Sequence, residues 1–219
     1  MLTLYGVARS RATRPLWMLH ECGAEFAHVP VIQSYRLEDP GAADAPLNTA
    51  SPAYLAINPL GQVPALDDDG LVLTESLAIC LHIARTRGGD LGPRDGREDA
   101  LAENWALFAA TGVEAAAIGI LYTFMDKLQD TEEGQAKIAA AVEALQRPLR
   151  RLEAHLAGTD WIMGGRFTVA DVMVAECLRY GTIHAPLLVS FPAVAAWHTR
   201  CRERPAYQKM WAQRLAEPE

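Results

Sequence analysis

The spacing of apolar residues changes character along this chain. Through roughly the first 80 positions, short apolar runs set off by turn residues alternate with helical patterns, and beyond them nearly everything reads as helix. Leu2–Tyr5 is a short β-type run. Residues 14–22 predict a helix with Leu16, Trp17 and Leu19 toward one side, and Gly23 is placed to end it, because glycine accepts the left-handed backbone that closes helices. Residues 26–32, rich in Val and Ile, predict a second strand. From Gln33 to Ala56 the pattern weakens into an irregular stretch with room for one short helix. A loop then leads through Val63-Pro64 into an apolar strand, an Asp69-Gly70 hairpin turn, another strand, and a helix from Glu75 to about Arg85.

A Gly-rich segment, residues 86–96, separates this part from the rest. From Glu98 to about Leu128, Leu101, Trp105, Phe108, Gly112 and Ala115 recur at three- and four-residue spacing, predicting a long helix. The small residues Gly112 and Gly119 would let a neighbouring helix or a ligand approach closely. A second long helix is expected from about Thr131 to Leu156. In Phe167-Thr-Val-Ala-Asp171-Val172, Thr168 and Asp171 hold capping-box spacing, and Phe167 and Val172 the staple positions, at the start of an apolar helix. That arrangement predicts a structural role in the centre of the second part.

Composition narrows the class of partner. The 219 residues suffice for one large or two modest cores, and half of them are apolar. Net charge is −7 and the pI about 5.4, which argues against nucleic acid or an anionic membrane as main partner. With neither a run of 18 apolar residues nor a signal-peptide pattern, a cytoplasmic location is expected. Cys22, Cys80, Cys177 and Cys201 lie far apart on predicted helices and read as buried free thiols. The six histidines show no ligand spacing, so no metal site is expected.

The most specific stretch is Asn58-Pro-Leu-Gly-Gln-Val-Pro-Ala-Leu66, followed by Leu73-Thr-Glu-Ser-Leu-Ala-Ile79. A proline where a strand begins beside a ligand cleft is a candidate cis peptide, and the residue before it can then turn both backbone polar groups outward. The nearby helix start at Glu75-Ser76 offers N–H groups and positive potential to a carboxylate. Together they suit a short extended peptide with an acidic end. At these residues the chain resembles the glutathione S-transferase superfamily, and more narrowly its bacterial, theta-like serine type; the resemblance runs over nearly the whole chain. It implies an α+β two-domain protein: a thioredoxin-like α/β domain at 1–84, a linker at 85–97, and an all-α helical bundle at 98–219. The β-α-β, β-β-α order of the first part agrees with such a domain. The resemblance further implies that Val63 contributes backbone contacts to the cysteinyl unit of glutathione, Pro64 the cis geometry, and Glu75 with Ser76 the γ-glutamyl contacts. Gln62 is the candidate for the glycine carboxylate, ahead of Arg36.

A thioredoxin-like redox enzyme needs a cysteine at the start of its first helix. The window here is Ser10-Arg-Ala-Thr13, which favours activation of a bound thiol over protein-thiol chemistry. In the serine-type relatives a Ser follows the first-strand Tyr by five residues and an Arg comes four residues later, positions held here by Ser10 and Arg14 after Tyr5. A thiol of pKa about 8.5 is only a few per cent ionised at neutral pH, and lowering that value by about two units corresponds to roughly 2.7 kcal/mol favouring the thiolate. Ser10 is the first candidate to donate the hydrogen bond that does so; Tyr5 is its rival, Arg11 or a backbone amide the remaining alternative, Arg11 is also a cationic helper, and an N-cap role for Ser10 is compatible with catalysis. An electrophile pocket between the two domains is expected, with Trp105, Phe108, Thr111 and Tyr122 as candidate walls. The implied function is a glutathione S-transferase in detoxification, attacking a hydrophobic electrophile with glutathione as co-substrate, without metal or other cofactor, as a cytoplasmic homodimer. A non-catalytic glutathione- or ligand-binding protein, or a protein-association module of the same fold, is the alternative.

Overall fold

A computed structural model describes residues 1–217. The chain forms two compact units, Met1–Gly89 joined by the chain from Pro205 onward, and Asp90–Arg204. The first holds a four-stranded sheet in the order β2-β1-β3-β4, with β1 at Leu2–Tyr5, β2 at Ala27–Val29, β3 at Ala65–Asp68 and β4 at Leu71–Leu73. Strand β1 runs parallel to β2 and antiparallel to β3, with Leu4 opposite Leu66. Those two leucines are fully buried, as are Leu16, Met18 and Leu19 of α1 (Thr13–Glu21). A short helix, α2 (Pro52–Leu55), precedes β3, and α3 (Ser76–Arg87) packs on α1. Around Tyr54, fully buried Val31 and Ala65 gather Tyr5, Leu47, Ile57 and Val63 into a separate cluster.

Local chemistry sets the element ends. Helix α1 closes in a Schellman motif: Gly23, at φ 59°, donates to His20 O, and Ala24 donates to Leu19 O. Asp69 and Gly70, both at positive φ, form the two-residue turn between β3 and β4. Strand β2 is shorter than the sequence pattern suggested, because Ile32 leaves the ladder for a single bridge to Asn48.

The second unit is helical. Helix α4 (Gly96–Leu107) opens on the Asp95 cap, which accepts from Glu98 N at 2.8 Å, and runs through a π-helical segment, Phe108–Glu114, into α5 (Ala115–Met125). Helices α6 (Glu132–Leu156), α7 (Val169–Arg179) and α8 (Pro192–Glu203) complete it. The continuous helix Gly96–Met125 is long and apolar enough to cross a membrane by length and composition, yet it packs on α6 and α7 with Ala109, Val113, Ala117 and Ile120 fully buried. Gly119 is not a site of close packing, since an added Cβ would meet nothing within 4 Å there; tight approaches in this unit fall at Gly134, against Leu128 O, and at Gly181, against Leu187 Cδ2. Helix α9 (Pro205–Ala216), whose sequence continues the helical pattern, belongs to the first unit, where Tyr207 meets the Trp17 ring edge-on at 4.9 Å.

Candidate active site

The first unit brings three sequence segments together. Gly6, at φ 135°, turns the chain out of β1; a Cβ there would lie 3.2 Å from both Ala12 Cβ and Val63 Cβ. The loop carrying Ser10 therefore passes against Val63. The Val63-Pro64 bond is cis. Val63 stands outside the paired register of β3, which begins at Ala65 opposite Tyr5.

The 58–64 loop is built from its own side chains. Asn58, 2% exposed, accepts from Leu60 N through Oδ1 and donates through Nδ2 to Gln62 O at 2.7 Å. The Tyr54 hydroxyl donates to the same carbonyl at 2.5 Å, and burial pushes its phenol up to about 12, so it stays a neutral donor. Gly61, at φ 59°, approaches Thr49 O so closely that a Cβ would stand 2.7 Å from it, which explains the glycine. Gln62 itself extends into solvent. Tyr54 and Asn58 thus both hold the Gln62 carbonyl, contacts that sequence reasoning missed although Asn58 heads the motif.

The start of α3 is strained. Glu75 sits at φ 64°, ψ 104°, a conformation side chains rarely adopt, and its side chain is exposed. Ser76 is buried, and its hydroxyl accepts from Arg14 Nη1 at 2.8 Å. Arg14 is 1% exposed, so α1 and α3 are tied by a charge-assisted bond beside the α3 N-terminus. With one lone pair on Arg14, the Ser76 hydroxyl keeps its proton for another acceptor.

Ser10 Oγ donates to Val7 O at 2.6 Å and accepts from Ala12 N at 3.0 Å. Ala12, not Ser10, is the N-cap of α1. Arg11 is exposed. Tyr5 is half-buried in the Tyr54 cluster, ring centroids 6.4 Å apart. Arg36 donates to Gln33 Oε1 at 3.2 Å.

In the second unit, Trp105 is buried against α6: its ring meets Phe108 edge-on at 5.3 Å and His155 at 5.1 Å, and the Arg151 guanidinium lies 4.7 Å and 4.6 Å from the Trp105 and Phe108 rings. Thr111 and Tyr122 are exposed, and the Thr111 hydroxyl donates to Leu107 O. Phe108 and Thr111 fall in the π-helical segment, a departure from α geometry that helical spacing could not reveal. Among the described residues, no group of three or more His, Cys, Asp or Glu is placed to hold a metal ion.

A thioredoxin-like domain followed by an all-helical one, with a cis Val63-Pro64 bond and no cysteine in the loop that opens α1, defines a class of two-domain, thiol-using transferases. The family descriptions "Glutathione S-transferase, N-terminal domain" and "Glutathione S-transferase, C-terminal domain" match residues 1–85 and 113–205. Glutathione S-transferase 1 of Zea mays is 33% identical over 218 residues, 96% of each chain. Glutathione transferase F7 from Populus trichocarpa superposes with a TM-score of 0.82 at 31% identity, covering 98% of this chain and 99% of that one. Glutathione S-transferase-I bound with lactoylglutathione gives 0.80 at 31% identity, covering 97% and 99%. The chain belongs to the glutathione S-transferase family: it is a glutathione transferase with glutathione as co-substrate.

One expectation is corrected. The matched relatives from maize, rice, Arabidopsis and poplar place the chain with the plant phi/tau-class type, not the bacterial theta-like type. A theta-class structure from Xanthomonas axonopodis pv. citri superposes less closely, with a TM-score of 0.74 at 29% identity over 95% of each chain. The Tyr5-to-Ser10 spacing reports only how strand and helix join, whereas similarity over the whole chain separates the classes.

Proposed function

We propose that this transferase activates glutathione through the Ser10 hydroxyl and directs the thiolate at a small hydrophobic electrophile. The observation that carries the reading is the Arg14–Ser76 bond: Arg14, four residues after Ser10, anchors the first residue of α3, so the thiol-activating and γ-glutamyl-binding ends share one frame. Glutathione lies extended along Val63 and Pro64, its γ-glutamyl ammonium on Glu75, its carboxylate on the Ser76 hydroxyl and N–H, and its glycine carboxylate near Gln62. Rotation of the Ser10 proton from Val7 O to the sulfur exchanges a neutral acceptor for a charged one, and this favours the thiolate. Tyr5 is the second candidate for that bond, disfavoured by its engagement in the Tyr54 cluster. Arg11 adds positive potential from the exposed side of the loop.

For the electrophile, Thr111 and Tyr122 remain the accessible candidates, with Trp105 and Phe108 shaping the helix behind them. A maize relative in complex with an atrazine glutathione conjugate supports a small hydrophobic partner. Exposed Leu107 and Met125 on the long helix and Leu71 and Val72 on β4 support a homodimer, and the acidic net charge supports a protein that binds neither nucleic acid nor an anionic membrane, which we read as cytoplasmic.

Ser10→Ala is expected to lower the conjugation rate by ten- to several-hundredfold, roughly 1.4 to 3.5 kcal/mol, with little change in glutathione affinity. Steady-state rates with an aryl halide and the thiolate absorbance of bound glutathione check this. If both stay at wild-type levels, Ser10 has no part in the mechanism and Tyr5→Phe is the next variant.

A further inference from the structure

We infer that Glu217 and Arg214, at the far end of the chain, are positioning residues for Ser10. The inference rests on the Ser10 reading above and extends it to the segment that holds the loop. Ala8 and Arg9 lie between β1 and α1, outside sheet and helix alike, so their backbone groups need other partners. All four find side chains. Ala8 N donates to Glu217 Oε1 at 2.7 Å, and Arg9 N donates to Glu217 Oε2 at 2.8 Å. Ala8 O accepts from Arg214 Nη1 at 2.8 Å, and Arg9 O accepts from Gln33 Nε2 at 3.1 Å. Arg9 Nε returns a further bond to Glu217 O at 3.1 Å.

Three of the four backbone groups thus depend on α9 and its exit. One carboxylate spans two consecutive N–H groups, a charge-assisted pair that fixes the orientation of both peptides. Both partners of the Ser10 hydroxyl, Val7 O and Ala12 N, belong to the same loop, so the direction of Oγ follows the loop. Small misplacement of a reacting group is costly in rate. The clamp therefore acts on thiol activation and leaves the peptide-binding segments 62–64 and 75–76 untouched.

The test is a double-mutant cycle with glutathione and an aryl halide electrophile. Glu217→Ala is expected to lower kcat/KM about tenfold and to raise the apparent pKa of the bound glutathione thiol, read from the pH–rate profile, with KM for glutathione nearly unchanged. In a Ser10→Ala background the same substitution should have almost no further effect. Glu217→Gln, which keeps the volume and one accepting oxygen, should fall between Glu217→Ala and wild type, and it keeps the test open if the alanine variant folds poorly. A wild-type rate and thiol pKa in folded Glu217→Ala would overturn the inference, as would a faster rate with a lowered thiol pKa, the result expected if Glu217 acted only as a nearby negative charge. A Ser10→Ala loss to which the Glu217→Ala loss adds in full overturns the clamp alone, whereas a wild-type rate in Ser10→Ala by itself removes the Ser10 reading and the clamp with it.

Discussion

At the scale of single residues, Glu75 departs from ordinary backbone geometry. Its φ of 64° places a Cβ where the backbone crowds it, and the strain is held at the first turn of α3 beside Ser76. Glu75→Ala and Glu75→Gly both remove the carboxylate proposed to meet the γ-glutamyl ammonium. Both are expected to weaken glutathione binding by roughly ten- to a hundredfold in calorimetric titration, the loss of a charge-assisted hydrogen bond. The two differ only in the Cβ, so the glycine variant should be the more stable by about 1 kcal/mol in urea unfolding. Equal stabilities would show that the site stores no strain. Wild-type affinity in both would reduce the segment to a helix start without a ligand. The motif containing this site was legible residue by residue, but the positive φ was not: no residue type that favours such geometry stands there.

At the scale of elements, α7 shows how a cap legible in the sequence gains weight from its surroundings. The capping box is present as expected, with Asp171 Oδ2 accepting from Thr168 N at 2.8 Å. The other oxygen, Oδ1, accepts from Ile162 N and from the Trp197 indole, both at 2.8 Å, and Asp171 is fully buried. Thr168→Ala should therefore cost about 1 kcal/mol as a lost cap, while Asp171→Ala should cost about 3 to 5 kcal/mol because it leaves buried donors without an acceptor. Urea unfolding of the two variants checks the ordering, and turnover of the folded fraction should stay near wild type. Equal costs would mean that the bonds from the 162 backbone and from α8 contribute nothing. Spacing alone shows the local half of this network; the contribution of Trp197 depends on how α8 docks.

At the scale of the whole molecule, two buried groups give stability opposite dependences on pH. Burial lowers the His198 imidazole to about 4, with the cation of Arg202 adding to the effect and the Glu176 carboxylate and the Ala175 carbonyl opposing it. The folded value lies below the unfolded one of about 6.5, so this contribution is full above pH 6.5 and is lost as pH falls toward 4, by about 3 kcal/mol over that interval. Burial raises Asp171 to about 6, against the donors from Ile162, Trp197 and Thr168. Its contribution runs the other way: it is full below the unfolded carboxylate value and is lost as pH rises through 6. Asp68, hydrogen-bonded by Arg87 and His82, and Glu98, held by Arg166, have carboxyls lowered to about 2 and titrate below this window. Between pH 4 and 6 the two buried groups offset each other. His198→Gln should unmask the difference: relative to wild type, its unfolding free energy should rise by about 3 kcal/mol from pH 7 to pH 4. A constant difference across that range in denaturant titrations would exclude His198 as the source.

By itself the sequence determined the order of strands and helices in the first part, the Asp69-Gly70 turn, the glycine closing α1, the Thr168–Asp171 box and the Asn58–Leu66 signature. Each rests on periodicity or turn chemistry within about ten neighbouring residues, where backbone preference dominates. Tertiary structure alone decided that α9 belongs with the first unit, that Arg14 meets Ser76, that Tyr54 holds the Gln62 carbonyl, and that Glu217 captures the N–H groups of Ala8 and Arg9. These contacts are side-chain bonds set by which surfaces dock, and apart from the Tyr54 bond they join residues remote in sequence. A polar side chain bound to a distant backbone group leaves no periodic mark on the sequence that carries it.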